Sequence, residues 1–505
     1  MTPIIRFSAL VLFLVFSFSL IAEEEKADKA KSAAPPAPFK VSTQHRLKNG
    51  SKDISYTANA EEIYLKDGDD NFTASFFTIS YIENGTERPE DRPITFIFNG
   101  GPGSASIWLH LGLVGPKVID IPSDATDPGS APYTLKDNPH SLLRTTDLIF
   151  VDPVGTGFSK ALGDKKNEDF WGYDEDADSV AEFIRTYITR HNRWNSPKFV
   201  LGESYGGIRG AMLVPRLQQE LRIALNGLIL VSPALNMATL PFFVAGNDLP
   251  YATILPAMAA TAHFHGKLPD NWPDLETLLA EVETYASTTY LTALFRGDTL
   301  TDTEKQEVAN QLRRYTGLDT DYILKSNLRI HAFRYGKELL REEGKSIGLL
   351  DGRYAHGELD GVAEFSESDA FGSKTGPIYV ASFQDYLRND LGVDITRRYI
   401  ASNGDAGDKW KRRDSESHPF AGYIDVTSDM AQGTMDNDSL RIFSASGYHD
   451  LVTSYFATEY MLQHSGMDPA KVEIRNYEGG HMMYLYQPSL IELSDDIMAF
   501  IEQQK

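Results

Sequence analysis

Four short runs, Ile94–Phe98, Leu148–Val151, Phe199–Leu201 and Leu228–Val231, are apolar almost throughout and are closed by Gly, Pro, Asp or Asn. Strands without polar alternation require burial on both faces, the condition of a parallel sheet covered by helices on either side. Between the second and third runs lies Asp174–His191, in which Val180, Phe183, Ile184, Tyr187 and Ile188 recur at the spacing of one helix face. Strand, helix, strand predicts a parallel crossover, and therefore an α/β architecture with a mostly parallel central sheet. The C-terminal part repeats the alternation: a strand at Leu440–Ala445, a helix from Ser454 to His464, a strand at Val472–Tyr477 and a last helix from Leu490 to Glu502. Ahead of the apolar runs, Ile54–Tyr64 and Thr73–Tyr81, with the turn signal Asn84-Gly85, predict antiparallel strands.

From 235 to 437 this rhythm breaks, which predicts a large, mainly helical cap inserted between two parts of one core, 41–234 and 438–505. Helical candidates in the cap are Leu275–Phe295 and the stretch after Thr301. There Thr301-x-x-Glu304 reads as a capping box before Val308, Leu312 and Tyr315.

At the N-terminus, Arg6 precedes a 16-residue apolar or hydroxyl run from Phe7 to Ala22, closed by Glu23, Glu24 and Glu25. This suits the core of a signal peptide better than a span of about 20 residues. Residues 1–22 are therefore expected to be a signal peptide, or failing cleavage an anchor, and 23–40 a disordered Ala/Pro/charged linker. The expectation is an exported bacterial protein, periplasmic or secreted, with no stable membrane insertion once the leader is removed. The chain contains no Cys, so disulfides, thiolate metal sites and Cys nucleophiles are excluded by inventory. With 48 Lys and Arg against 71 Asp and Glu, the formal charge of −23 argues against nucleic acid as a partner.

Chemistry concentrates at a few strand ends. Gly202-Glu203-Ser204-Tyr205-Gly206 has the G-x-S-x-G pattern of a nucleophile elbow, preceded by the apolar run Phe199–Leu201 and followed by a helix-compatible segment. A serine hydroxyl is a weak nucleophile at neutral pH and needs a base with an orienting carboxylate. Asp450 and His481 follow late predicted strands in the order Ser, Asp, His expected of an α/β hydrolase. Asn99-Gly100-Gly101-Pro102-Gly103 follows Ile94–Phe98, where a glycine-rich loop can bring a backbone N–H to a developing oxyanion. His263-Phe264-His265 has no companion ligand at convincing spacing, so it is read as a solvated cap loop. No metal and no cofactor are expected.

Taken in order, Asn99–Gly103, Val151-Asp-Pro-Val-Gly-Thr-Gly-Phe-Ser159, Gly202–Gly206, Gly447-x-x-Asp450 and His481-Met482 closely resemble the signature blocks of the serine carboxypeptidases. The resemblance implies an α/β-hydrolase fold with a helical insertion over the site. It also implies a serine-type carboxypeptidase, acting through an acyl-enzyme on the C-termini of peptides or proteins. On matching positions it makes Ser204 the nucleophile, His481 the base and then acid, and Asp450 its orienting carboxylate. It further implies that Gly101 and Tyr205 supply the oxyanion N–H groups, while Asn99, Gly100 and Glu203 hold the substrate's terminal carboxylate. Glu203 must then be protonated, because two carboxylates repel. The chain departs from the family's pattern where Leu113 stands in place of a second glutamate and Ile97 in place of a tryptophan. An esterase or acyltransferase on the same scaffold is the alternative, and a non-catalytic binding protein a more distant one.

Overall fold

The computed structural model describes residues 35–48, 53–241, 246–412 and 424–505. The expected signal peptide and residues 23–34 of the expected linker lie outside the described residues. Nine strands form one path: β1 (Lys40–Leu47), β2 (Ile54–Lys66), β3 (Phe72–Glu83), β4 (Ile94–Phe98), β5 (Asp147–Val151), β6 (Lys198–Glu203), β7 (Gly227–Val231), β8 (Arg441–Gly447) and β9 (Val472–Tyr477). Their spatial order is β1-β2-β3-β5-β4-β6-β7-β8-β9, with a two-residue strand, Lys160–Ala161, added beside β3. β1, β2 and β3 pair antiparallel, β3 meets β5 antiparallel, and every pairing from β5 to β9 is parallel.

The apolar strands divide their side chains between two cores, as a period of two requires. Phe96 and Phe98 of β4, with Leu228 and Leu230 of β7, pack under α1 (Tyr173–Arg190) and α2 (Tyr205–Pro215). Ile97, Ile229 and Val231 point to the other face. That face also carries Ile378 and Phe383 of α6 (Ala370–Asn389) and Leu493 and Ile497 of α9 (Gln487–Gln504). Burial on both faces is the physical reason these runs have no polar alternation.

A third core lies wholly outside the sheet. It joins α3 (Leu249–Phe264), α4 (Leu275–Tyr285) and α5 (Asp302–Thr316) with the segments that follow. The helical path of α4 continues through residues 286–296, close to the sequence expectation. The expected capping box is present: Glu304 N–H donates to Thr301 Oγ1 at 3.3 Å and Thr301 N–H donates to Glu304 Oε2 at 2.8 Å. Two further helices of the 235–437 stretch return to the main body, α6 against the core of Ile97 and Ile229 and α7 (Thr427–Asp436) against the core of Phe96 and Leu228. The remaining long helix, α8 (Tyr455–Gln463), follows β8.

Two elements escape a reading by periodicity. β1 alternates between exposed and half-buried positions and carries mostly polar residues, so it has no apolar run. In α3 the apolar residues cover the whole circumference and most are buried, which leaves no polar face to define a helical period. The expectation of a solvated loop at His263-Phe264-His265 is corrected: His263 and Phe264 close α3, and the His265 ring nitrogen Nε2 lies 2.7 Å from the Gly352 carbonyl. No helix among the described residues is long and apolar enough to cross a membrane.

Candidate functional site

The carboxyl ends of β4, β6, β8 and β9 open on one side of the sheet, where crossover loops rather than strand residues must satisfy the backbone. Asn99–Gly103 follows β4, Ser204 follows β6, Asp450 follows β8 and His481 follows β9. Asn99, Gly100, Gly101, Glu203, Ser204 and His481 line a single cavity of about 700 Å³. Asp450 is fully buried behind His481, with zero exposure.

Ser204 sits between the last residue of β6 and the first of α2 with φ 62° and ψ −125°. A residue with a Cβ pays steric strain at positive φ, and such geometry persists only when its surroundings fix it. Here the Ser204 N–H donates to the Val231 carbonyl at 3.0 Å, and its own carbonyl accepts from Gly207 and Ala234 at 2.8 and 3.0 Å. The glycine loop crosses directly over this turn. A Cβ built on Gly100 would lie 2.4 Å from the Tyr205 backbone nitrogen, so only glycine lets the two backbones come this close.

The histidine wall is fully hydrogen-bonded. His481 Nδ1 lies 2.6 Å from Asp450 Oδ2. Asp450 Oδ1 accepts from the Val452 and Thr453 N–H groups at 2.8 and 2.9 Å, and the Thr453 hydroxyl is 2.6 Å from Oδ2. Four donors meet the acceptor capacity of a carboxylate and fix its rotamer. The His481 loop is clamped from three sides. Its N–H donates to the Leu350 carbonyl at 2.6 Å, its carbonyl accepts from Ser232 Oγ at 2.8 Å, and Gly480 N–H donates to Asp351 Oδ2 at 3.2 Å. Burial pulls the imidazole toward neutrality, but the charge and hydrogen bond of Asp450 outweigh it and leave the pKa of His481 raised.

The opposite wall holds a buried acid with no Lys or Arg paired to it among the described residues. Asn99 Nδ2 donates to Glu203 Oε1 at 2.7 Å, and the Tyr484 hydroxyl is 2.6 Å from Oε2. Asn99 is itself held by Leu109 N–H, which donates to its Oδ1 at 3.1 Å, and by Arg209, which donates to its carbonyl at 2.8 Å. Arg209 in turn is neutralised by Asp176 at 2.7 Å, so its charge is spent before it reaches Glu203. Burial is the main cause that raises the Glu203 pKa to about 7, against the smaller lowering effects of His481, Tyr484 and Asn99.

Sequence reasoning did not find Tyr484 or Thr453. Tyr484 reaches Glu203 across 281 residues of sequence, and it fits because Gly112 leaves space: a Cβ there would lie 2.4 Å from the tyrosine ring. Leu113, the position noted for lacking a second glutamate, belongs to the same short helical segment, His110–Val114. A tyrosine hydroxyl thus contacts Glu203 in a chain that has no acid at 113. The only available signal was proximity to His481, three residues earlier. The Asp152 block acts as scaffold. Asp152 Oδ1 accepts from both the N–H and the hydroxyl of Ser106 at 2.9 Å, and Oδ2 accepts from Tyr399 at 2.8 Å, which ties the glycine loop to the segment around 400.

A family model described as serine carboxypeptidase matches residues 57–483. Serine carboxypeptidase-like 5 of Arabidopsis thaliana is 30% identical over 189 residues, 37% of this chain and 39% of that protein. Serine carboxypeptidase-like 15 of the same plant is 31% identical over 176 residues, 34% of this chain and 36% of that protein. The matched stretch therefore spans less than half the length of these curated relatives. The crystal structure of Kex1(delta)p, a prohormone-processing carboxypeptidase from Saccharomyces cerevisiae, aligns over 92% of both chains with a TM-score of 0.53 at 14% identity. At that identity the likeness shows the fold, which is that of an α/β hydrolase.

Proposed function

The chain belongs to the serine carboxypeptidase family, and from that premise we propose that it releases C-terminal residues from peptides through an acyl-enzyme. Ser204 Oγ attacks the last peptide carbonyl carbon while its proton passes to His481 Nε2. Asp450, bonded to Nδ1, keeps the ring in the tautomer that can accept that proton and stabilises the imidazolium. The Gly101 and Tyr205 N–H groups stabilise the oxyanion. Collapse of the tetrahedral adduct breaks the C–N bond, and the leaving amine takes the proton from His481. A water then attacks the ester, giving its proton to the same nitrogen, and Ser204 is regenerated with the shortened peptide free.

The observation that carries an exopeptidase rather than a general acyl hydrolase is the Asn99–Glu203–Tyr484 group beside the serine. A buried carboxyl with a pKa of about 7 is mostly protonated in the acidic range, so with Asn99 and the Gly100 backbone it can there donate hydrogen bonds to a substrate carboxylate. The third core and the α6 residues that line the cavity support reading the 235–437 stretch as a cap over the site, and the Phe7–Ala22 run supports export to the periplasm or medium. The test is mass spectrometry of peptide mixtures incubated with wild-type and Ser204→Ala protein between pH 4 and 8. Stepwise C-terminal loss that disappears in the variant is expected. Full turnover by Ser204→Ala sinks the mechanism, and ester cleavage without trimming at any pH turns the assignment to an esterase or acyltransferase.

A further inference from the structure

The cavity contains an uncompensated cation. Besides Tyr399, the titratable side chains of its lining are Glu203, His481 and Arg398. Glu203 is enclosed by Asn99 and Tyr484, and His481 is held by Asp450. Arg398 is exposed and has no ion-pair or hydrogen-bond partner among the described residues. Its neighbour Arg397 behaves differently: it reaches away to Glu62 at 2.7 Å and to the Phe158 carbonyl at 2.8 Å. In a chain of formal charge −23, a guanidinium left without an acid inside a cavity calls for a ligand-based explanation.

The backbone that carries Arg398 is built in place. Tyr399 donates to Asp152 Oδ2 at 2.8 Å, Ile400 and Gly157 exchange N–H to carbonyl bonds at 2.8 and 3.0 Å, and Ala105 N–H donates to the Ala401 carbonyl at 3.0 Å. Arg398 therefore projects from a strap fastened to the glycine loop, on the same body as the Asn99 and Glu203 cradle. Gly376 of α6 lines the same cavity, and a Cβ built on it would meet nothing within 4 Å. Much of the remaining lining is apolar, with Trp108, Leu350, Phe371 and Met482, so a charged substrate side chain entering the cavity has Arg398 as its unpaired partner among the described residues.

We propose that Arg398 binds a second substrate carboxylate, the Asp or Glu side chain of one of the two residues flanking the scissile bond, and so makes the enzyme selective for acidic C-terminal sequences. This rests on the exopeptidase reading, in which the terminal carboxylate occupies the Asn99 and Glu203 cradle and leaves the guanidinium free for another. A planar, permanently charged fork matches a carboxylate bidentately and rejects lysine side chains by repulsion.

The experiment compares wild-type, Arg398→Ala and Arg398→Glu proteins on matched peptides bearing Glu, Gln or Lys at each of the last two positions. Thermal unfolding of each variant confirms intact fold. Wild type is expected to prefer Glu over Gln at one position by about tenfold or more in kcat/KM, the scale of one charge-assisted contact. Arg398→Ala abolishes that preference while leaving Gln peptides nearly unchanged, and Arg398→Glu turns it toward Lys. Equal losses on all peptides would mean that Arg398 holds the terminal carboxylate and overturn the proposal, as would a wild type indifferent to charge. If no peptide is trimmed, the same proteins are read on esters with and without a carboxylate in the acyl chain. A preference lost in Arg398→Ala then keeps the anion site and discards the peptidase reading, and indifference discards both.

Discussion

The two walls of the cavity bury carboxyl groups almost equally, yet they prepare them for opposite tasks. Asp450 is paired with an imidazole and receives two backbone N–H bonds and a hydroxyl. Glu203 has an amide and a phenol for company, and Arg209, which bonds the Asn99 carbonyl, is already held by Asp176. Burial alone penalises the charged form of either acid, so the neighbours decide: charge and multiple donors suit an orienting carboxylate, whereas two neutral groups leave Glu203 with a pKa of about 7. Under the proposed function, one site thereby holds an acid suited to accept and an acid that, when protonated, can donate.

Breaking the first wall should have the largest effect. Asp450→Asn keeps the shape but offers an amide where Nδ1 needs an acceptor, so kcat is expected to fall by roughly 10⁴, the scale seen when a triad aspartate is replaced in other serine hydrolases. Steady-state kinetics checks this, and a variant within tenfold of wild type would remove Asp450 from the mechanism. Thr453→Val deletes the hydroxyl 2.6 Å from Asp450 Oδ2 and leaves the backbone bonds in place. A hydrogen bond to a charged group is worth about 1.5–3 kcal/mol, so a drop in kcat of roughly tenfold to a hundredfold with little change in KM is expected.

The second wall is sharpened by pH. With Glu203 protonated below about 7, peptide binding should weaken as pH rises through that value. One ionisation lowers kcat/KM by about tenfold per unit beyond it. Glu203→Gln cannot ionise and should lose this alkaline limb; a limb that survives in the variant assigns it to another group. Stability carries the same sign. The native state holds this proton more tightly than the unfolded chain, whose carboxyl has the ordinary value of 4.5, so Glu203 lowers stability as pH rises from about 4.5 to about 7. Unfolding of Glu203→Gln across that range should show a shallower loss.

Tyr484→Phe keeps the ring over Gly112 and removes a contact that favours the ionised acid, so the alkaline limb should move to higher pH with a change of a few-fold in KM. A shift to lower pH would reverse the role assigned to the hydroxyl. The smallest effect belongs to neither wall. Thr301→Ala removes the cap of α5 and should cost about 1 kcal/mol in unfolding while leaving both pH limbs where they are.

The parallel strands were legible in the sequence because burial on both faces leaves an unmistakable apolar run, and the serine turn because its flanking glycines and strand are contiguous. Asp450 and His481 were legible as loop residues after late strands, and the structure brings His481 into one cavity with Ser204. β1 and α3 were not, the first for want of an apolar run and the second for want of a polar face. Asn99, Glu203 and Tyr484 meet from distant parts of the sequence and Arg398 lines the same cavity as the first two, a proximity no local pattern encodes. Sequence by itself determined a doubly covered parallel sheet and the residue types at its strand ends, since these follow from periodicity and backbone sterics acting over a few residues. Only the tertiary structure decided that Tyr484 stands beside Glu203, that Arg209 is spent on Asp176 and that Arg398 has no partner among the described residues, because desolvation and charge compensation depend on which distant side chains share one enclosed space.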